Sequence, residues 1–253
     1  MTPNLFLLGA GKSGTTSVWS MLADHPDVHM SRPKEPSFFC SHFQVVKNPV
    51  TYFGLFDSPR RWRGDASHVY MTNPETAPIL RDLFPEARFV LTLRAPKARA
   101  HALYRHMRRF TSGKGTPHEP HERFAAALAA EEARFADPEF PARCGQYAWN
   151  FFYCRSCFYD EQLARYLALF PRDRFHVQTL ADLSHRPAET ATALADFLQI
   201  DPGPLIAAAT QVRNADPNPY GWTAEEDAWM EARFAGLTAR TEALVGRALD
   251  WSL

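Results

Sequence analysis

Leu5-Phe6-Leu7-Leu8 runs without a break into Gly9-Ala10-Gly11-Lys12-Ser13-Gly14-Thr15-Thr16-Ser17 and then Val18-Trp19-Ser20-Met21-Leu22. The unbroken apolar run is the pattern of a parallel strand covered on both faces, and the small-residue turn after it leads into a helix. Glycines let backbone N–H groups converge, and a helix start adds unsatisfied N–H groups and partial positive charge, so the stretch is suited to hold phosphate. The spacing Gly9-x4-Gly14 matches the first half of GxxxxGK[ST], but Thr15-Thr16 occupies the places of the Lys and the Ser/Thr. Lys12 lies inside the loop instead. With the lysine moved away from the magnesium-binding hydroxyl, the loop fits a phosphate donor handled without metal better than an ATP- or GTP-hydrolysing site. A tight strand-to-helix turn without a ligand is the plain alternative for any glycine-rich turn.

The rest of the chain supplies elements that suit such a strand. Arg88-Phe-Val-Leu-Thr-Leu93 reads as a second strand entering a helix over 97–109, and Arg174 to Leu180 as a third, followed by a helix over 187–198. Strand and helix in alternation predict an α/β fold: a P-loop-like, mainly parallel central sheet flanked by helices. Residues 64–70 read as a short strand ending in a polar loop, 74–84 and 124–135 as helices, and 40–63 as an irregular connector with a short helix around its aromatics. The stretch 207–220 reads as irregular, and Thr223-Ala-Glu-Glu226 is a capping box that opens what reads as the last helix. There is no internal repeat and no linker, so residues 1–253 are expected to form a single domain.

With 28 Lys+Arg against 28 Asp+Glu there is no global field for nucleic acid or a membrane surface, and any charged-ligand site must be local. One local candidate is Arg94 to Arg109, which carries Arg94, Lys97, Arg99, Arg105, Arg108 and Arg109 with no carboxylate; a solvated basic helix face is the alternative. The first residues carry no basic or long apolar leader, which predicts a cytoplasmic protein. Cys40, Cys144, Cys154 and Cys157 suit a reducing compartment, and Cys154-x-x-Cys157 lacks the second pair or histidines of a zinc site, so packing cysteines are expected. Residues 111–121 have glycines, prolines and histidines without an apolar anchor and read as a mobile surface loop or a lid. Pro33 and Pro36 flank Lys34-Glu35 and hold it out of a helix, presenting Glu35 on a stiff loop.

Five segments taken together resemble the sulfotransferase family that uses 3′-phosphoadenosine 5′-phosphosulfate (PAPS), with the heparan-sulfate-type and related bacterial enzymes nearest in pattern. They are Gly9-x-Gly-Lys12-Ser-Gly-Thr-Thr-Ser17, Lys34-Glu35-Pro-x-Phe-Phe39, Arg88-Phe-Val-Leu-Thr-Leu-Arg94-x-Pro96-x-x-Arg99, Gln162-Leu-x-Arg-Tyr-Leu-x-x-Phe-Pro171 and Leu244-Val-Gly-Arg-x-Leu-Asp-Trp251. The resemblance implies that Lys12, Ser13, Gly14, Thr15, Thr16 and Ser17 cradle the 5′-phosphosulfate, that Arg94 meets the 3′-phosphate, that Lys12 balances the leaving phosphate and that Glu35 is the general base. It implies sulfuryl transfer to a hydroxyl or amine with no metal. The neutral charge and the aromatics Phe38, Phe39, Tyr52, Phe53 and Tyr70 favour a small or medium, partly apolar metabolite over a glycosaminoglycan as acceptor, with no nucleic acid and no membrane partner.

Three departures bear on that expectation. Ala102 stands where the family usually places a serine on the 3′-phosphate, a hydrogen bond of about 1.5–3 kcal/mol that His101, Arg105 or a loop residue would have to replace. Ala66 stands where many heparan-type relatives carry a second lysine. His68 replaces a proline there, as an additional acid/base, an acceptor contact or a polar loop residue. Ala66 and Ala102 also raise the alternative of a non-catalytic protein that binds PAPS or its spent form, PAP. A kinase or ATPase is disfavoured by the missing GK[ST] and the lack of a strand ending in a Walker-B carboxylate.

Overall fold

A computed structural model of the chain describes residues 1–113, 115–209 and 221–253. In chain order these form β1 (Leu5–Gly9), α1 (Thr15–Ala23), β2 (Val28–Met30), α2 (Pro49–Gly54), β3 (Trp62–Asp65), α3 (Val69–Thr72), α4 (Thr76–Leu83) and β4 (Arg88–Leu93). Then follow α5 (Pro96–Arg109), α6 (Phe124–Ala136), α7 (Phe140–Arg143), α8 (Tyr159–Leu167), β5 (Phe175–Thr179), α9 (Leu180–His185), α10 (Pro187–Leu198), α11 (Pro202–Ala209), α12 (Ala224–Arg233) and α13 (Leu237–Val245). The five strands make one sheet in the order β2-β3-β1-β4-β5, and every pairing is parallel. The expected α/β architecture, a central parallel sheet with helices, is what the chain adopts.

Two compact units divide the chain, the first holding 1–94, 164–209 and 248–253 among the described residues. Its sheet is buried on both faces, as the uninterrupted apolar run of β1 requires. Leu5 and Leu7 join Val18, Met21, Leu22, Leu194, Ala195, Leu198 and Leu205 of α1, α10 and α11 in an aliphatic layer. Phe6, between them in sequence, turns to the opposite face and meets Tyr70, Phe84 and Phe89 at ring separations of 5.5–6.4 Å. Alternation of side chains along the strand thus sorts aliphatic from aromatic partners. Burial of each such large apolar side chain contributes roughly 1.5–3 kcal/mol.

The second unit holds 95–163 and 221–247, residue 114 excepted. Its α5 buries Ala98, Ala100, Ala102, Leu103 and Met107. The basic segment is largely committed inside this unit: buried Arg99 donates to Ser156 Oγ at 2.9 Å and lies 3.1 Å from Cys157 Sγ. Lys97 pairs with Asp227 and Glu231, and Arg108 donates to the Glu119 carbonyl. Cys154 and Cys157 are both buried packing residues, as expected from the sequence.

Four expectations change. The strand placed at 64–70 is β3, which ends at Asp65, while Val69 and Tyr70 open the short α3. The capping box at Thr223 and Glu226 forms, yet α12 is followed by a further helix, α13. Of the stretch read as irregular, 207–209 complete α11 and 210–220 lie outside the described residues. The loop at 111–121 is anchored at its far end, because Glu119 is fully buried in a bidentate pair with Arg134 and accepts from the Tyr153 hydroxyl. Among the described residues no helix is long and apolar enough to cross a membrane.

Candidate active site

Parallel pairing puts the C-terminal ends of β1, β2, β3 and β4 at one edge of the sheet, where open α/β sheets bind ligands. The loop after β1 carries Lys12, the loop after β2 carries Glu35, the loop after β3 carries His68, and β4 ends one residue before Arg94.

In the first of these loops the chain turns through left-handed backbone at Gly9, Lys12 and Gly14, with φ of 133°, 68° and 87°. Glycine adopts this region freely; lysine does so at a cost, and such outliers gather at functional sites. Gly14 is also the N-cap of α1, with no side-chain cap, so the first helical N–H groups at Thr15 and Thr16 have no partner among the described residues. The Ser17 N–H is turned back onto the Gly14 carbonyl at 3.0 Å. Ser13 is fully buried, and its hydroxyl has no hydrogen-bond partner among the described residues. Arg94, buried at the end of β4, reaches the Lys12 carbonyl with Nη1 at 3.4 Å. Lys12 itself is exposed.

Glu35 and Ser37 are also left-handed, at φ 63° and 52°. The Glu35 carboxylate is fully engaged: Oε1 accepts from Lys34 Nζ at 2.5 Å, while Oε2 accepts the His68 N–H at 2.7 Å and lies 2.8 Å from His68 Nδ1. Because a carboxylate only accepts, Nδ1 carries the proton of this pair. Burial pushes the Glu35 carboxyl up, but His68 and Lys34 outweigh it and bring it down to about 2. The imidazole lies on the loop after β1, since a Cβ built on Gly11 would stand 2.8 Å from its Cδ2 and 3.4 Å from its Nε2.

The solved structure of a sulfotransferase from Alicyclobacillus acidocaldarius matches this chain with a TM-score of 0.78 and 27% identity, covering 98% of each chain. The family-level match is to the sulfotransferase superfamily. Among curated sulfotransferases, the membrane-associated sulfotransferase kil1 of Dictyostelium discoideum is 24% identical over 266 residues, 79% of this chain. The bifunctional heparan sulfate N-deacetylase/N-sulfotransferase 1 of Caenorhabditis elegans is 28% identical over 109 residues, 42% of this chain. This chain spans 56% of the length of the first and 13% of the second. No family model matches the chain.

Within this sulfotransferase frame the first unit brings together Lys12, Ser13, Gly14, Thr15, Thr16, Ser17, Glu35, His68 and Arg94. One residue was missed. Asp65, in the stretch read as a short strand ending in a polar loop, is fully buried and accepts from Ser67 Oγ, the Tyr52 hydroxyl and the Tyr70 hydroxyl. Its neighbours carry no apolar pattern, since β3 is only Trp62-Arg63-Gly64-Asp65, so nothing local marked the carboxylate as buried. A second cluster, Cys40, His42 and Glu75, brings its ligand-type atoms within 4.8 Å of one another. Its carboxylate is committed to the Ser41 N–H and hydroxyl and to Asn73, and so braces the loop against the start of α4.

Proposed function

We propose that the chain is a PAPS-dependent sulfotransferase, with residues 1–253 acting as one sulfotransferase domain. It would transfer the sulfuryl group of PAPS to a hydroxyl or amine of a small or medium metabolite. The observation that carries this reading is the Glu35–His68 pair held on the loop after β1, whose lysine is internal. The residues suit the donor: the buried, unpartnered Ser13 hydroxyl and the uncapped start of α1 are the kind of groups a phosphate satisfies. The Lys34-Glu35-Pro-x-Phe-Phe39 pattern makes the heparan-sulfate-type and related bacterial enzymes the subtype we favour.

In the proposed mechanism the acceptor oxygen or nitrogen attacks sulfur in line, its proton passes to the base, and the bond from sulfur to the bridging phosphate oxygen breaks. The products are the sulfated acceptor and PAP. Lys12 and the first N–H groups of α1 take up the charge that develops on the leaving phosphate, and Arg94 meets the 3′-phosphate. Glu35 is the base by resemblance.

One observation favours a second assignment of that proton. With both oxygens engaged and its carboxyl held at about 2, Glu35 is a weak proton acceptor in the donor-free protein. His68 has Nδ1 fixed by Glu35 and Nε2 beside Gly11, with no partner for Nε2 among the described residues. In that assignment Nε2 takes the proton and Glu35 fixes the tautomer. Incubation of the protein with sulfur-labelled PAPS and a metabolite extract tests the function, and transfer of label is the expected result. PAP binding without transfer would favour the non-catalytic alternative. Retained activity in Glu35→Gln with loss in His68→Ala would assign the base to His68.

A further inference from the structure

The loops that carry Glu35 and His68 are tied together through one carboxylate. Asp65 Oδ1 accepts from Ser67 Oγ at 2.6 Å, and Oδ2 accepts from the hydroxyls of Tyr52 and Tyr70 at 2.8 and 2.9 Å. Two of these donors pass the tie onward. Ser67 Oγ accepts the Ser37 N–H at 2.9 Å, and the Tyr70 hydroxyl accepts the Phe39 N–H at 3.3 Å. The segment after Glu35 therefore hangs at two points from a single buried group. Ser67 and Tyr70 also flank His68 in sequence, so the same group holds the other member of the pair.

We propose that Asp65 is a positioning residue: it holds the Glu35 loop against the His68 loop and so keeps the imidazole on the loop after β1. It acts through Ser67 and Tyr70 and reaches no reacting atom. Glu35 and Ser37 are held in left-handed backbone, which an unrestrained loop of such residues would leave. The ionised carboxylate matches the hydrogen bonds of the place, because three hydroxyl donors converge on its two oxygens. An asparagine would turn an N–H group toward one of those hydroxyls and leave it unpaired. The catalytic consequence rests on the sulfotransferase reading; the positional one does not.

The experiment uses the full-length protein with nitrogen-labelled histidine, in which the hydrogen-bonded Nδ1–H of His68 is assigned by its loss in His68→Gln. In Asp65→Asn and in Ser67→Ala this resonance is expected to broaden or vanish. Turnover of labelled PAPS, with water or an extract as acceptor, is expected to fall at least about tenfold in kcat while KM for PAPS stays within about twofold. Ser67→Ala, which removes one hydroxyl, decides the matter if Asp65→Asn does not fold. Both variants keeping the resonance and the rate would overturn the proposal. A wild-type protein that moves no sulfate would sink the sulfotransferase reading instead, and the resonance alone would then decide the positioning role.

Discussion

Gly11 and His68 share one volume: a Cβ on the first would stand 2.8 Å from Cδ2 of the second. A missing side chain on the loop after β1 thus admits the ring presented by the loop after β3. Gly11→Ala is expected to leave the fold intact and to push the imidazole off the loop. Because a misplacement of about 1 Å can cost about 100-fold in rate, transfer from labelled PAPS should fall by about 10- to 100-fold. An unchanged rate would mean that the ring position does not matter.

Lys12→Met removes the one lysine or arginine between Gly9 and Ser17 at nearly constant length. Loss of one preorganised partner of a developing charge typically costs about 100- to 1,000-fold in kcat. That loss is expected, with PAP affinity measured by calorimetry falling by less than about tenfold. A fall in PAP affinity with kcat unchanged would place Lys12 in ground-state binding alone.

Ser13→Ala removes a buried hydroxyl that has no partner among the described residues. In the absence of donor the variant should be as stable as the parent or slightly more so, since an unsatisfied group is lost. Its affinity for PAP should fall by about 5- to 10-fold, the worth of one hydrogen bond of about 1–1.5 kcal/mol. Thermal melts with and without PAP check both halves.

The two carboxylates of the site pull stability in opposite directions with pH. Burial raises Asp65 from 3.8 to about 6, against the hydrogen bonds from Ser67, Tyr52 and Tyr70 and with help from the Glu35 charge; Tyr166 also faces it. Its contribution is therefore complete below about 3.8 and lost as pH rises through about 6. Glu35 is lowered from 4.5 to about 2, so its contribution is present above 4.5 and lost as pH falls through about 2. In urea titrations at stepped pH, Asp65→Asn should flatten the decline between about 4 and 7. Glu35→Gln should flatten the acid side; the reverse pattern would show that the environments are misassigned.

In the second unit, Glu119 is fully buried and forms its pair with a nearly buried Arg134, whose side chain is 11% exposed. Breaking a buried pair from one side leaves the other charge uncompensated, so Glu119→Ala should cost about 3–5 kcal/mol in chemical denaturation. The loop at 111–121 should then be cut faster by protease. A loss under about 1 kcal/mol would show that the pair behaves as a surface contact.

Much of this was legible because local pattern and burial agree. The apolar run of β1, the glycines after it, and β4 from Arg88 to Leu93 carry strong period and turn signals, and Lys12 and Arg94 follow from their positions at strand ends. What was not legible depends on distant partners. Val28–Met30 is a three-residue edge strand with a histidine in its middle, too short to show a period. Val69 and Tyr70 have strand-forming side chains, but they sit in a short helix whose Tyr70 is fixed by Asp65 and by the hydroxyl of Tyr166 on its carbonyl. The burial of Asp65 was invisible because Tyr52, thirteen positions away, is what makes it tolerable. The aim of Glu35 was likewise invisible without His68, thirty-three positions on.

Lys12, Glu35 and Ser37 each occupy backbone that glycine would hold with less strain, at a cost of roughly 1–2 kcal/mol apiece. A lineage under pressure for thermal persistence alone would therefore drift toward glycine at Lys12 and Ser37, whereas at Glu35 the relief of strain is set against the pairs with Lys34 and His68. Retention of Lys12 in a descendant would mark selection on chemistry. A library of this chain sorted only for heat resistance should be depleted of active members at that codon first.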